Sequence, residues 1–369
     1  MSTETTLPAT AAREPGAGAD SRADARPSRP RIPGHWVLRR LLQLPLSLLV
    51  FSVFVFFFAK LIPGDPLAAS STFLSAEQVD SVKDSLGMND PLPVQLGTYL
   101  LRMVTFDLGT GISDGTSIAD QFAQRLPISL QLTVLGLGAT LLVSVALAFV
   151  GSLHPTSPIG RVIRWFGRSA GAFPDFTLGV LFIFVFYSLI RMAPAPLGPI
   201  DPLLSMPPRI TGFPLIDAVL TGDSAALGSL LAHLWLPVLV IVFAYTPMLL
   251  KVLLVSMDTA LSAPHTLFMV AVGMRPRDVR WSMLKHSTPT TVANLGNLTV
   301  MVLGGTIVIE QLFSLGGLGQ YAVQAVQSAD YVIVQSFLVV YAAICLVVFL
   351  ICDLVIALVD RRRSLGVTR

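Results

Sequence analysis

Hydrophobic positions gather into long uninterrupted runs rather than alternating with polar ones. Runs of about 20 residues or more lie at approximately Val37–Ile62, Ser129–Gly151, Ala172–Met192, His233–Val255, Val292–Phe313 and Tyr331–Val359. Each is long enough for an α-helix to cross roughly 30 Å of hydrocarbon. A transmembrane barrel would instead need segments of about ten residues with alternating polarity, and none recur. Because a spanning segment must satisfy its own backbone polar groups, the pattern predicts an all-α integral membrane protein with about six transmembrane helices.

The segments between the runs carry the local signals. Pro63-Gly64-Asp65-Pro66 after the first run is a turn by its chemistry. Ser75–Leu86 then reads as an amphipathic surface helix, with Ser75 as N-cap, Gln78 three residues on and Gly87 as its end. Ala263–Thr291 is a polar and basic island that reads as two brief helices joined at Gly273. In the island Leu267, Val270, Ala271 and Met274 recur at i, i+3, i+4 and i+7, an apolar face suited to a groove on a partner. The same face would suit a helix lying on the membrane. Gly273 permits a sharp turn, Pro276 ends or starts a helix beside it, and Arg275, Arg277 and Arg280 then meet phospholipid or an acidic protein surface. Residues 1–34 hold almost no large apolar side chains and are expected to form a disordered tail, with a second short tail at 364–369. The first apolar run starts too far from Met1, and is too long, to be the core of a cleavable signal peptide.

Composition agrees with the pattern. Hydrophobic residues make up 53% of the chain and charged ones 13%, against about 25% charged in soluble proteins, and mean hydropathy is +0.72. The net charge of +3 reports topology rather than nucleic-acid binding, because the basic residues flank the apolar runs and form no groove with interleaved aromatics. Lys and Arg cluster before the first run, at Arg161, Arg164 and Arg168, within 256–291, and at Arg361, Arg362 and Arg363. By the positive-inside rule both termini and the 256–291 segment are cytoplasmic, and the 63–127 and 193–231 loops lie outside. Cys345 and Cys352 share one helix face too far apart to bridge.

Nothing in the residues forms a catalytic set. His35, His154, His233, His265 and His286 are scattered, no HExxH occurs, and no GxxxxGK[ST] phosphate loop is present. No catalytic residue and no metal site is therefore expected, and the chain is not expected to hydrolyse ATP. Charges at membrane depth are functional candidates by default. Lys60, Arg191 and Lys251 lie near helix ends and can snorkel, Asp175 opens a helix, and Asp353 lies two turns from the terminal arginines. Glu310 differs. It sits late in the fifth run beside Gly304, Gly305 and Thr306, small residues that permit close helix approach, so it marks a buried interhelical contact or a gate.

Several stretches resemble the membrane-spanning permease subunits of bacterial ABC importers of the dipeptide and oligopeptide class. In family order they are Pro63–Pro66, LGMNDPLPVQ at Leu86–Gln95, FDLG at Phe106–Gly109, RLPISLQL at Arg125–Leu132, FPDFTLG at Phe173–Gly179, the segment around Ala271 and Gly273, VIEQLFSLGGLGQ at Val308–Gln320, and ADYVIVQ at Ala329–Gln335. The long first loop and the PGDP turn resemble the first, or B-type, permease. The resemblance implies a type I importer-like transmembrane domain over 35–363. It also implies a second related permease, two cytoplasmic ATPase subunits that use ATP and Mg, and an extracytoplasmic substrate-binding protein, with no cofactor held by this chain. Family permeases carry a coupling loop with the pattern Tyr-x-Arg-Thr-Ala-Arg-Ala-x-Gly. Here His265 stands at the Tyr position, Ala271 at the last Ala and Gly273 at the Gly, while Leu267 and Val270 replace the arginines and Phe268 the threonine. The implied cargo is peptide, with nickel complexes, glutathione or other small solutes as alternatives in the same family. From the residues alone, a stand-alone secondary transporter or channel is the competing reading. It calls for an internal repeat and for acidic residues in broken helices near the midplane. No repeat is visible, and the charges lie mostly near the ends.

Overall fold

The computed structural model describes residues 34–61, 89–112, 115–169, 171 and 174–359. The 1–34 tail up to residue 33, the Gly64–Asp65 turn, the expected helix at 75–86, Phe173, and Arg361–Arg363 with the tail beyond lie outside the described residues. Among the described residues the helices are α1 (Gly34–Ala59), α2 (Leu92–Val104), α3 (Ile118–Leu153), α4 (Pro158–Arg168), α5 (Asp175–Phe182, continued by π-helical turns over Ile183–Leu189), α6 (Pro214–Thr221), α7 (Ser224–Ser262), α8 (Pro264–Ala271), α9 (Pro276–Phe313), α10 (Leu318–Gln327) and α11 (Tyr331–Val359). No sheet accompanies them among the described residues. A single bridge pairs Thr110 with Ser117.

Among the described residues five helices, α1, α3, α7, α9 and α11, are long and apolar enough to cross a membrane. The expected third span is α5, whose eight α-helical and seven π-helical residues reach at most about 22 Å, short of the roughly 30 Å hydrocarbon layer. Two spans start earlier than their apolar runs. Helix α3 begins at Ile118 because Ser117 caps it, accepting the Asp120 N–H at 3.3 Å, and because Ile118 and Phe122 are buried against Leu318, Tyr321 and Ala322 of α10. Helix α7 begins at Ser224 because Asp223 accepts the Ala226 N–H at 2.9 Å, and Ala226 and Leu230 pack on Ile200 and Ala218. Tertiary burial thus draws polar flanks into helices that hydropathy alone would end.

Helix α7 is the hub, packed against α3, α9, α4, α5, α6 and α8. Lipid tails are as apolar as leucine, so close backbone approach, rather than hydrophobicity, holds spans together. Along α3 the buried residues Ser129, Thr133, Gly136, Thr140, Ser144, Ala148 and Gly151 recur every three or four positions, forming a small-residue stripe. Its fit is tight. A Cβ added at Gly136 would lie 2.6 Å from Ile241 Cδ1, and one at Gly151 would lie 3.0 Å from Leu254 and from Ile163.

Helices α1 and α11 pack antiparallel at the edge of the bundle. Arg40 pairs with Asp353 at one end (3.2 Å), so Asp353 has a partner on α1. At the other end Lys60 Nζ lies 5.3 Å from the Tyr331 ring. Arg40 and Lys60 are about 30 Å apart along α1 at 1.5 Å per residue, one hydrocarbon thickness. Elsewhere Arg164, expected only to report topology, makes a two-pronged pair with Asp258 (2.8 and 3.0 Å) and donates to the Gly151 carbonyl at 3.2 Å. That clamp fixes α4 to the ends of both α3 and α7.

In the 193–231 loop Asp217 is 2% exposed. Its carboxylate accepts the Thr211 N–H (2.6 Å), the Thr211 hydroxyl (2.7 Å) and the Gly212 N–H (3.0 Å). Burial alone would raise this carboxyl, but the donors outweigh it and hold it below its ordinary value. A carboxylate depressed on folding stabilises above its unfolded pKa, and that stabilisation is lost as pH falls through the folded value. Asp217→Asn is expected to destabilise the chain by about 1–3 kcal/mol at neutral pH. In thermal unfolding of the detergent-solubilised protein, the gap to wild type should shrink as pH drops below about 4.

Candidate functional site

The 263–275 segment is built from its two ends. Pro264 opens α8 at a position where its missing N–H costs nothing, and buried Thr266 donates through Oγ1 to the Ala260 carbonyl at 2.7 Å, rooting α8 on the last turn of α7. Helix α8 closes at Gly273, φ +74°. Met274 N–H bonds the Met269 carbonyl and Gly273 N–H the Val270 carbonyl, both at 3.0 Å, the paired bonds of a Schellman cap. Pro276 then starts α9. The expected second brief helix is therefore the first turns of a 38-residue span. It runs unbroken through Pro289, beside which Ser287, Thr288 and Thr291 donate to the carbonyls four residues back, at 3.0, 3.0 and 2.8 Å.

The apolar face expected on this segment is uncovered. Leu267 is 58% exposed, Val270 60% and Met274 43%, with Phe268 and Val272 exposed beside them. Ala271, Arg275 and Arg277 are exposed as well. The exposed His265 ring lies 5.4 Å from that of His286, joining α8 to the start of α9. All eight residues expected to act here thus share one surface at one end of α7 and α9.

At the opposite end of α9 stands Glu310, fully buried. Its Oε2 accepts the Gln320 N–H at 3.1 Å, and Ser129 Oγ of α3 accepts the Leu318 N–H at 2.8 Å. Two side chains from neighbouring spans thereby satisfy the first N–H groups of α10, where a carboxylate also complements the helix dipole. Space at the joint is minimal. A Cβ at Gly317 would meet Glu310 and Ser129, and one at Gly319 would lie 2.8 Å from Ile307 Cα. Gln131 serves α6 in the same way, accepting the Leu215 N–H at 3.0 Å.

Gly304 and Gly305, adjacent in sequence, have different settings. Gly305 is buried, and a Cβ there would strike Tyr245 Oη and Asp175 Oδ2, which lie 3.0 Å apart. Gly304 is exposed with open space over it. It belongs to an exposed stripe of α9 that includes Thr290, Asn297, Val300 and Met301. Glu310 and Gly305 are therefore packing elements, and Gly304 lies on the free face.

Two family descriptions match the chain. Residues 35–133 match the N-terminal membrane component of binding-protein-dependent transport systems, and residues 140–365 match the family described as binding-protein-dependent transport system inner membrane component. The chain belongs to this family. Among its relatives, the probable D,D-dipeptide transport system permease protein DdpB of Escherichia coli K12 is 28% identical over 316 residues, covering 85% of this chain and 93% of that protein. The probable peptide ABC transporter permease protein y4tP of Sinorhizobium fredii is 24% identical over 331 residues, covering 89% and 99%. The nickel import system permease protein NikB of Staphylococcus aureus is 24% identical over 334 residues, covering 89% and 92%.

This permease shows what the family's short motifs do physically. In FDLG, Asp107 Oδ1 accepts the Gly109 N–H at 3.0 Å, with Phe106 and Gly109 both at positive φ. In ADYVIVQ, buried Asp330 accepts the Ile333 N–H at 3.3 Å and caps α11. Sequence reasoning missed Ser129, Gln131 and Arg164, although the polar side chains of Ser129 and Gln131 within an otherwise apolar run were the available signal. Glu310→Ala is expected to cost about 1–3 kcal/mol by stranding the first N–H groups of α10, and Glu310→Gln, which keeps an acceptor, clearly less. Thermal unfolding of both variants in detergent checks the order.

Proposed function

We propose that this chain is the first of two unlike permease subunits in an ATP-driven importer of di- or oligopeptides, with both termini and the 263–275 segment in the cytoplasm. The observation that carries the reading is the uncovered apolar face at Leu267, Val270 and Met274, borne on a helix rooted in α7 and joined to α9 by the short turn at Gly273. Such a face fits a groove on a cytoplasmic ATPase. Closure of the two ATPases around ATP would carry α8 with it, and because α9 is unbroken, the movement would reach the far end of the span and switch the paired permeases between inward and outward opening. ATP does no chemistry on the cargo. A binding protein would deliver its ligand to the outer loops, and the α9 stripe around Asn297 and Gly304 would face the partner permease across the path. In this arrangement α5 is the sixth crossing, despite its shortness. Peptide is the preferred cargo, supported by the dipeptide and peptide relatives. A nickel complex is the second reading, supported by the nickel-import relative.

Leu267 and Val270, at positions where the family pattern has arginine, fit a matched ATPase pair. Exchange of the ATPases for those of another system is expected to abolish uptake while leaving assembly measurable, and full uptake with foreign ATPases would sink that idea. At Gly273 there is open space, so backbone strain alone penalises a side chain, at about 1–2 kcal/mol for most L-residues. Gly273→Ile is expected to leave insertion intact and uncouple ATP hydrolysis from uptake in proteoliposomes, with Gly273→Asn milder. Gly304→Trp, also into open space, should block uptake by more than about tenfold without loss of assembly. Unchanged uptake would remove the α9 stripe from the path. Co-purification with a second permease and ATPases tests the assembly itself, since a lone functional chain contradicts it.

A further inference from the structure

Between the outer ends of α1 and α11, roofed by α2 and the 107–112 turn, lies a cleft of about 720 Å³ that no part of the transport reading uses. Its upper wall carries two cations, Lys60 and Arg102, and two carboxylates, Asp90 and Asp107. Lys60 Nζ donates to Gln95 Oε1 at 2.5 Å and rests beside the Phe56 and Tyr331 rings at 5.7 and 5.3 Å. Among the described residues neither cation has a carboxylate within ion-pair distance, in contrast to Arg40 and Arg164.

The lower wall changes character. Phe56 lies one turn below Lys60, and Val339 lies eight residues below Tyr331, about 12 Å deeper along α11. The cleft thus carries charge of both signs at the level of the helix ends, and deeper down Phe56, Val332 and Val339 line it together with Gln335 and Ser336. Its depth is fixed by the α1–α11 pair, whose two polar ends stand one hydrocarbon thickness apart, so Lys60 and Arg102 lie at a headgroup layer. Its lateral position is peripheral. Only 17% of the α1 window and 11% of the α11 window are buried, against 50% for α7, so the cleft opens beside the bundle rather than within the α3–α7–α9 core.

We propose that this cleft is a binding site for a membrane glycerophospholipid, its phosphate held by Lys60 and Arg102 and an acyl chain laid against Phe56 and Val339. A lysine stem lying along aromatic rings with its ammonium at the interface is the arrangement that holds a phosphate while staying solvated. Asp107, with one oxygen engaged by the Gly109 N–H, leaves its other oxygen on the same wall for an ethanolamine ammonium. A soluble anion would use the two cations and leave Phe56, Val332 and Val339 uncovered. The lipid uses both.

The test is native mass spectrometry of the full-length chain, purified in detergent and titrated with 1-palmitoyl-2-oleoyl phosphatidylethanolamine. Wild type is expected to retain one phospholipid. The Lys60→Gln/Arg102→Gln double variant should retain it about 30-fold more weakly, the factor that two basic residues near a headgroup layer supply. Val332→Trp, which fills the cleft from α11 with both cations in place, should lose it as well, and Lys60→Arg should keep it. Thermal unfolding establishes that each variant is folded, and if the double variant is not, Val332→Trp carries the test. Equal retention by wild type and Val332→Trp overturns the proposal. So does displacement of the lipid by millimolar inorganic phosphate or by a dipeptide, which would make the cleft a site for soluble anions or for cargo.

Discussion

Every helix end buried inside this bundle must find partners for backbone N–H groups that no water can reach, and that requirement organises the structure. Three junctions meet it with side chains borrowed from elsewhere in the chain. Ser129 and Glu310 serve α10, Gln131 serves α6, and Asp217 gathers the backbone at 211–212 into the turn that starts α6. An unmet donor in such a place costs about as much as a large core cavity fragment, roughly 1–3 kcal/mol. The polar residues set among apolar runs are therefore structural necessities, placed where helices change direction.

The joints explain how one end of the molecule can act on the other. Helix α9 runs unbroken from Pro276 beside the Gly273 cap to Phe313 beside the Glu310 joint, about 57 Å at 1.5 Å per residue. Helix α7 runs beside it, tied to α4 by the Arg164–Asp258 pair and to α8 by Thr266. Interfaces lined by Gly136, Gly151 and Gly305 leave no room for an added Cβ, and packed interfaces of that kind move as bodies rather than deforming continuously. Between α8 and α9 the Schellman cap at Gly273 makes the one change of direction.

How much of this was legible in the chain depends on the range of the cause. The all-α character, five of the spans and the exposed face of α8 follow from hydropathy and helical period, which are local. The starts of α3 and α7 were not legible, because Ile118 and Leu230 are drawn into helices by contacts with residues about 200 and 30 positions away along the chain. The continuity of α9 was hidden for a different reason. Pro289 lacks a donor and is by its local chemistry a place for a helix to end, whereas packing against α7 and α11 carries α9 through it. The 256–291 stretch, whose 263–291 part reads in sequence as two brief helices joined at Gly273, is helical except at Ala263 and 272–275.

The pair Gly304 and Gly305 shows where a one-dimensional reading stops. Both looked like small residues beside a candidate gate, and composition treats them alike. Neighbours on a helix point about 100° apart, so one can be locked in the core while the other faces out. Gly305 is small because the Tyr245–Asp175 contact occupies the space a methyl would need. Gly304 has no such contact, so nothing inside this chain requires a glycine there. The stripe of α9 that carries Gly304 is therefore open to a neighbour, whereas Gly305 and Glu310 are committed to packing inside the chain.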